Sequence, residues 1–152
     1  MSAALTPDQM ADRLEIIELT HRYCWALDSK TWELLDDVFL PDATAELRSD
    51  LLEGREAIRN RIRNAITRLD ATQHTVTNHM ITVGIDGDGD RATSRAYLHS
   101  QHVRTGVEGG ELYVIAGRYE DELVRTPDGW RIAFRRLVSV WSEGNLDVIR
   151  KA

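Results

Sequence analysis

The chain contains a single cysteine, Cys24, among its 152 residues. One thiol excludes an intramolecular disulfide and a cysteine-rich metal site. Long apolar runs are also lacking, whereas a membrane-spanning helix needs about 20 predominantly apolar residues. The N-terminus has no basic-then-apolar segment of the signal-peptide type. We therefore expect a cytoplasmic protein with no membrane partner.

A concentrated basic patch is absent as well. The 19 lysines and arginines are interleaved with 25 acidic residues, which gives a net charge of −6. A negative chain with dispersed basic residues does not favour nucleic-acid binding, so no nucleic-acid partner is expected. With 42% hydrophobic residues, a chain of this length can form one domain over residues 1–152 with a core of its own.

The first half of the chain has helical periodicity. Thr6-Pro7-Asp8 is typical of a helix start, and the helix should continue to about Asp28. Two stripes on opposite sides predict burial on both. They consist of Leu14, Ile17, His21, Cys24 and Asp28, and of Ile16, Leu19, Tyr23 and Leu27. A short second helix is predicted over 31–39, stopped by Pro41-Asp42, then a short strand over 43–48 and a third helix over 54–69.

From residue 72 onward, apolar and polar residues alternate. The alternation predicts long strands over 72–83, 91–104, 111–125 and 130–141. Helices followed by an antiparallel meander indicate an α+β fold in which a curved sheet and the leading helices enclose a pocket. The Asp-Gly-Asp-Gly-Asp run over 86–90 is interpreted as a hairpin turn, because no acid stands where a calcium loop needs its bidentate glutamate.

The period of two sorts the strand residues by face. Polar and apolar side chains from several strands, together with Asp28, are predicted to converge on the pocket. The strand residues placed inside are His74, Asn78, Leu98, Tyr119, Phe134, Arg136 and Val138. His79 and His99 are predicted to face outward. A metal site built from His74, His79 and His102 is rejected, since His79 should point away from His74.

Several segments resemble SnoaL-like proteins of the nuclear transport factor 2-like superfamily. They are, in chain order, Arg22 to Asp28, Pro41-Asp42-Ala43, Gly54 to Ile58, Thr72-Gln73-His74, Gly117 to Asp121 and Asp128 to Ile132. The resemblance implies a cone-shaped α+β barrel, with three N-terminal helices packed on a curved, mainly antiparallel sheet. It is greatest to the branch of scytalone dehydratase, bile-acid dehydratase and hexachlorocyclohexane dehydrochlorinase.

The resemblance also implies roles for individual residues. Those enzymes hold a histidine with an aspartate of the first helix, and His74 and Asp28 stand at the matching positions. Tyr23 matches a tyrosine that bile-acid dehydratases place beside the substrate. Arg136 matches their late-strand arginine, and Arg135 takes its place if a bulge shifts the register.

These roles predict a cofactor-free lyase of the dehydratase type, or an isomerase. His74 would remove a proton next to a carbonyl, Asp28 would orient the imidazole, and Tyr23 would donate to a substrate oxygen. Arg136 would stabilise an enolate or anchor an anionic group. The substrate would be a hydrophobic hydroxy-carbonyl compound, polycyclic or aromatic. The bile-acid enzymes carry a further acid where this chain has Tyr97-Leu98, which argues against a bile-acid substrate.

Two other functions stay open. The Asp–His pair also fits a module that binds an apolar small molecule without reacting it. The fold is shared with the structural small subunit of ring-hydroxylating dioxygenases, which need no such pair. The resemblance further implies a homo-oligomer, a dimer or trimer, formed through the outer sheet face. The strip predicted there consists of Arg95, Tyr97, His99 and Gln101.

Overall fold

Helix α1 (Pro7–Asp28) begins where the sequence predicts. The Thr6 hydroxyl accepts a hydrogen bond from the Gln9 N–H, and the Gln9 side chain accepts one from the Thr6 N–H. This capping box satisfies two backbone donors at the helix start. The structure is a computed structural model that describes residues 4–150. Across that range, no helix is both long enough and apolar enough to cross a membrane.

Only one of the two predicted stripes of α1 is buried along its length. It consists of Ile16, Leu19, Tyr23 and Leu27. The prediction that the other stripe is buried is wrong for its first half, because Leu14 is 64% exposed and His21 also faces solvent. Cys24 and Asp28, at the end of that second stripe, do lie inward. The last turn of α1 therefore enters the interior more deeply than the first turns.

The predicted second helix is shorter than expected and is a 3₁₀ helix, Trp32–Asp37. Strand β1 (Phe39–Leu47) follows at once, so Pro41-Asp42 lies within a strand and does not stop a helix there. Proline has no N–H to donate to a ladder, and the pairing of β1 is interrupted between Phe39 and Thr44. Strand β2 (Asp50–Glu53), too short to be predicted from its pattern, pairs with β1 in antiparallel.

Helix α2 (Arg55–Ile66) is amphipathic as predicted, with Ile58, Ile62 and Ile66 buried. The four predicted long strands are confirmed as β3 (Ala71–Ile85), β4 (Asp88–Val103), β5 (Leu112–Thr126) and β6 (Gly129–Gly144). A short 3₁₀ helix, Leu146–Val148, follows. The strands of residues 4–150 form a six-stranded sheet in the order β2-β1-β6-β5-β4-β3, in which only the β1–β6 pairing is parallel. The predicted α+β class is confirmed.

A bulge in β3 reverses the faces of its second half. Asn78 has a left-handed φ of 56°, and the register against β4 shifts between Thr77 and Met80. Asn78 is exposed and Met80 is 72% exposed, while His79 turns inward. The predictions that Asn78 lines the pocket and that His79 faces outward are therefore wrong. Because the bulge adds one residue to β3, every side chain after it points to the face opposite to the one predicted.

A second bulge has the same effect in β6. Ile132 pairs with Leu123, whereas Phe134 pairs with Glu122, which leaves Ala133 as the extra residue. After this point Arg135 faces inward and is fully buried. Arg136 faces outward, where it binds Glu46 and its guanidinium lies 5.5 Å from the centre of the Phe134 ring. The inward predictions for Arg136, Phe134 and Val138 are wrong for this reason.

Candidate active site

A cavity of about 700 Å³ opens between the concave face of the sheet, the end of α1, the β1–β2 turn and α2. This volume lies within the usual range of small-molecule sites. Its floor is largely buried and includes Tyr23, Leu98, Ser100, Ile115 and Tyr119. Of the residues predicted to face the pocket, Tyr23, His74, Leu98 and Tyr119 line this cavity. Asp28 lies directly behind His74.

The Asp28 carboxylate holds the start of strand β3. It accepts hydrogen bonds from the Thr72 hydroxyl at 2.8 Å, from the His74 backbone N–H at 2.9 Å and from His74 Nδ1 at 2.7 Å. These contacts form because Asp28 ends α1 where Thr72 and His74, two residues apart, share the inner face of β3. A proton on Nδ1 leaves the lone pair on Nε2, the nitrogen that a general base uses.

The electrostatics of Asp28 favour its ionised form. Burial alone would raise the pKa of this carboxyl, but the hydrogen bonds from His74 and Thr72 outweigh burial and hold its pKa below the usual range. An ionised carboxylate fixes the imidazole tautomer and stabilises the imidazolium once a proton has been accepted.

A second histidine, His102, stands beside the pair. Its ring centre lies 5.8 Å from that of His74, and its Nδ1 donates to the Tyr113 carbonyl at 3.2 Å. Burial, aided by nearby His74, lowers the pKa of His102 to about 4, so the ring is neutral near pH 7. His102 lines the cavity, and its Nε2 can accept a hydrogen bond from a ligand hydroxyl. The alternation of β4, continued two residues beyond Ser100, places His102 inward.

Arg135 occupies the interior behind the cavity and does not line it. Its guanidinium forms two hydrogen bonds of 2.7 Å to Asp121 and lies between the rings of Tyr23 and Tyr119, at 4.3 and 4.1 Å from their centres. Burial would lower the pKa of Arg135, but Asp121 raises it well above the usual value. Arg135, the alternative that the sequence offered to Arg136, is therefore the arginine that faces inward. It packs against the rings of Tyr23 and Tyr119 on the side away from the cavity.

Both tyrosines remain protonated at neutral pH. Burial raises the pKa of Tyr23 and raises that of Tyr119 still further. Their rings meet edge to face with centres 5.5 Å apart. The cavity thus combines the neutral His102 and the Asp28-bound His74 with the hydroxyls of Tyr23 and Tyr119. Among residues 4–150, no cluster of three histidine, cysteine, aspartate or glutamate side chains is arranged to hold a metal ion.

The family is decided by comparison with known proteins. The model of the SnoaL-like domain matches residues 8–136. The chain belongs to the SnoaL-like family. It is 33% identical to the uncharacterized protein Rv2910c of Mycobacterium tuberculosis over 86% of this chain and 87% of that protein. It is 30% identical to the terrestric acid biosynthesis cluster protein E of Penicillium crustosum, over 99% and 97% of the two chains.

Solved structures share the fold of this SnoaL-like chain. The Kfla4162 protein of Kribbella flavida has a TM-score of 0.84 and 29% identity, over 93% of this chain and 99% of that one. A candidate scytalone dehydratase of Novosphingobium aromaticivorans has a TM-score of 0.81 and 20% identity, over 93% and 92%. The hexachlorocyclohexane dehydrochlorinase LinA-type3 of Novosphingobium barchaimii has a TM-score of 0.78 and 18% identity, over 91% and 93%.

Proposed function

We propose that this SnoaL-like chain is a cofactor-free lyase of the dehydratase type, with isomerisation as the related outcome. The observation that carries the proposal is the hydrogen-bonded Asp28–His74 pair on the wall of a large cavity that has both apolar and polar lining residues. The substrate is a hydrophobic hydroxy-carbonyl compound of polycyclic or aromatic type. Two structural relatives are named for eliminations, one of water and one of hydrogen chloride, which supports this reaction class.

In the proposed reaction, His74 Nε2 removes a proton from the carbon next to the substrate carbonyl. The C–H electron pair becomes an enolate, whose oxygen accepts a hydrogen bond from Tyr23 or Tyr119. The enolate collapses to a carbon–carbon double bond as the β-hydroxyl leaves, and the proton on His74 passes to that hydroxyl to form water. Asp28 stabilises the imidazolium between the two steps. A neutral His102 accepts a hydrogen bond from a substrate hydroxyl.

The bicyclic β-hydroxy ketone 3-hydroxy-1-tetralone tests this mechanism, because its dehydration yields fluorescent 1-naphthol. We expect His74→Gln to slow turnover by about 10²- to 10⁴-fold, the range of a general base. His99→Gln is the matched control, since His99 lies on the exposed outer face of β4. A folded His74→Gln protein with wild-type turnover would rule out the proposed base.

A second candidate function is a module that binds a hydrophobic ligand without reacting it. The contact between Asp28 and the His74 backbone N–H favours it, because that bond ties α1 to β3 whatever the imidazole does. Incubation of the protein with the same tetralone separates the two functions. Recovery of unaltered, bound ligand supports binding alone, and the appearance of 1-naphthol above the uncatalysed rate supports the lyase.

We further propose that the protein forms a homo-oligomer through the outer face of the sheet. Large apolar side chains are exposed there: Met80 is 72%, Tyr97 62%, Val140 64% and Trp141 50% exposed. An exposed patch of large apolar side chains is typical of a surface that a partner covers. Light scattering after gel filtration gives the copy number, and Tyr97→Glu is expected to shift the protein toward the monomer.

A further inference from the structure

The rim of the cavity carries positive charge, although the whole chain has a net charge of −6. Three arginines line the cavity, Arg48, Arg61 and Arg68, against one carboxylate, Asp50. Arg61 is bound to Asp50, so these two charges offset each other. Within residues 4–150, neither Arg48 nor Arg68 has a carboxylate at ion-pair distance. Two positive charges therefore face the cavity without a counter-charge from that part of the chain.

The guanidinium of Arg68 is only partly used for hydrogen bonds within the described residues. Its Nη2 donates to the carbonyl of Ile149, whereas its Nε is buried and has no hydrogen-bond partner within the described residues. Burial, together with Arg104 and Arg61 nearby, lowers the pKa of Arg68. A buried N–H without an acceptor is costly, and a charged donor gains most from an anionic acceptor. Arg68 thus brings to the cavity lining a charge that no carboxylate of the described residues offsets, and a ligand anion within reach of its guanidinium would do so.

Arg48 connects the rim to the histidines. It lies in the turn between β1 and β2 with a left-handed φ of 62°, exposed and without a side-chain partner in residues 4–150. It is close enough to His102 for its charge to contribute to lowering the pKa of that ring. One cavity therefore has two histidines and several apolar side chains inside, and at its rim two arginines without an ion-pair partner in residues 4–150.

We propose that the molecule bound in this cavity carries a carboxylate, which Arg68 and Arg48 hold at the rim while its apolar rings lie on the floor. The assignment of the reacting end to His74 rests on the proposed function, whereas the carboxylate preference is a property of the rim alone. An anchored carboxylate would fix how far the ring system enters and would favour acids over their neutral analogues.

Calorimetric titration with 6-hydroxy-2-naphthoate and with its carboxamide measures this preference. The two probes have nearly the same shape and differ in charge. We expect the wild type to bind the acid about tenfold or more tightly than the amide, as a charged hydrogen bond allows. Added salt is expected to reduce that ratio. An acid that binds no tighter than the amide, or does not bind, overturns the proposal.

Arginine variants test whether the preference for the acid over the amide comes from the rim. Arg68→Gln is expected to weaken binding of the acid about tenfold and to leave binding of the amide unchanged, which also reports an intact cavity. Arg48→Gln breaks no side-chain hydrogen bond or ion pair within the described residues and is expected to give a smaller loss for the acid alone. Arg63→Gln is the matched control, because Arg63 is exposed on α2 and lies outside the cavity lining. An equal loss with Arg63→Gln contradicts the assignment.

The titration separates this proposal from the proposed function. We expect His74→Gln to keep the preference for the acid, because the rim is unchanged. If His74→Gln retains full turnover while the acid preference persists, the proposed base is wrong and the rim assignment stands. If turnover depends on His74 but acid and amide bind equally, the rim assignment is wrong and the proposed base stands.

Discussion

Two side-chain pairs lie on the inner face of the same sheet, and each contains one carboxylate. The Arg135–Asp121 pair is closed, with the two side chains 0% and 4% exposed and the guanidinium between two tyrosine rings. The His74–Asp28 pair borders the cavity through His74, whose side chain is 5% exposed, and the Asp28 side chain behind it is 19% exposed. The closed pair is enclosed by its neighbours, whereas we propose that the open pair presents His74 Nε2 to a ligand. Access to the cavity distinguishes the two roles.

The largest effect should come from breaking the closed pair. Arg135→Gln leaves Asp121 buried without its counter-charge, and removing one partner of a buried pair costs about 3–5 kcal/mol. We expect a loss of that size in the free energy of unfolding, measured by urea denaturation. Arg136→Gln is the matched control, because its outward pairing with Glu46 is solvent-exposed and should contribute little. Equal losses in the two variants would contradict the register given by the bulge in β6.

Breaking the open pair should affect activity more than stability. Asp28→Asn removes the charge that orients His74, and we expect turnover of 3-hydroxy-1-tetralone to fall by about 10²-fold or more. Thr72→Val removes one hydrogen bond to the same carboxylate at 2.8 Å and should reduce turnover by a smaller factor. An Asp28→Asn protein that keeps wild-type turnover would make the pair structural, like Arg135–Asp121.

The pH dependence of stability should report His102. Its pKa is lowered to about 4 in the folded protein, whereas an unfolded histidine has a pKa near 6.5. The unfolded state therefore binds this proton first, and stability falls as the pH drops from about 6.5 toward 4, by about 3 kcal/mol. His102→Gln should flatten the unfolding free energy across this window. Asp28, whose pKa is lowered, contributes a separate loss only as the pH falls below about 4.

The smallest predicted effect concerns the bulge in β3 that turns His79 inward. Asn78 has a left-handed φ of 56°, which asparagine tolerates and most residues do not. Asn78→Ala should lower the free energy of unfolding by about 1 kcal/mol, whereas Asn78→Gly should leave it nearly unchanged. Equal behaviour of the two variants in thermal denaturation would show that the bulge is not strained at this residue.

Counting in twos along a strand predicts the inward face correctly where no bulge interrupts the alternation. His74 precedes the bulge of β3, Leu98 lies in the unshifted pairing of β4 with β5, and Tyr119 lies between two shifts of β5, so counting in twos puts all three inside. The end of α1 follows from its cap and helical spacing, which place Asp28 beside β3. These residues are brought to one cavity by elements that a pattern of apolar residues specifies well.

The assignment of residues to the inner or outer face fails after a bulge, because the extra residue shifts the alternation by one. Ala133 has no feature that marks it as an extra residue. Counting in twos therefore assigns Arg136, Phe134 and Val138 to the inner face, whereas they lie on the outer one. The left-handed backbone of Asn78 is a tertiary outcome, although asparagine permits it. Arg68 is not predictable for another reason: it falls in the predicted third helix, whose charged face is usually solvated, and only the fold shows that it borders a cavity.

Hydrogen exchange at carbon tests the central claim most directly, since it requires neither a leaving group nor the natural substrate. 1-Tetralone in D₂O should gain deuterium next to its carbonyl faster with the wild-type protein and with His99→Gln than in buffer. With His74→Gln the rate should fall to that of buffer, because the base at Nε2 is gone. Wild-type exchange by a folded His74→Gln protein would contradict the assignment of His74 as the base.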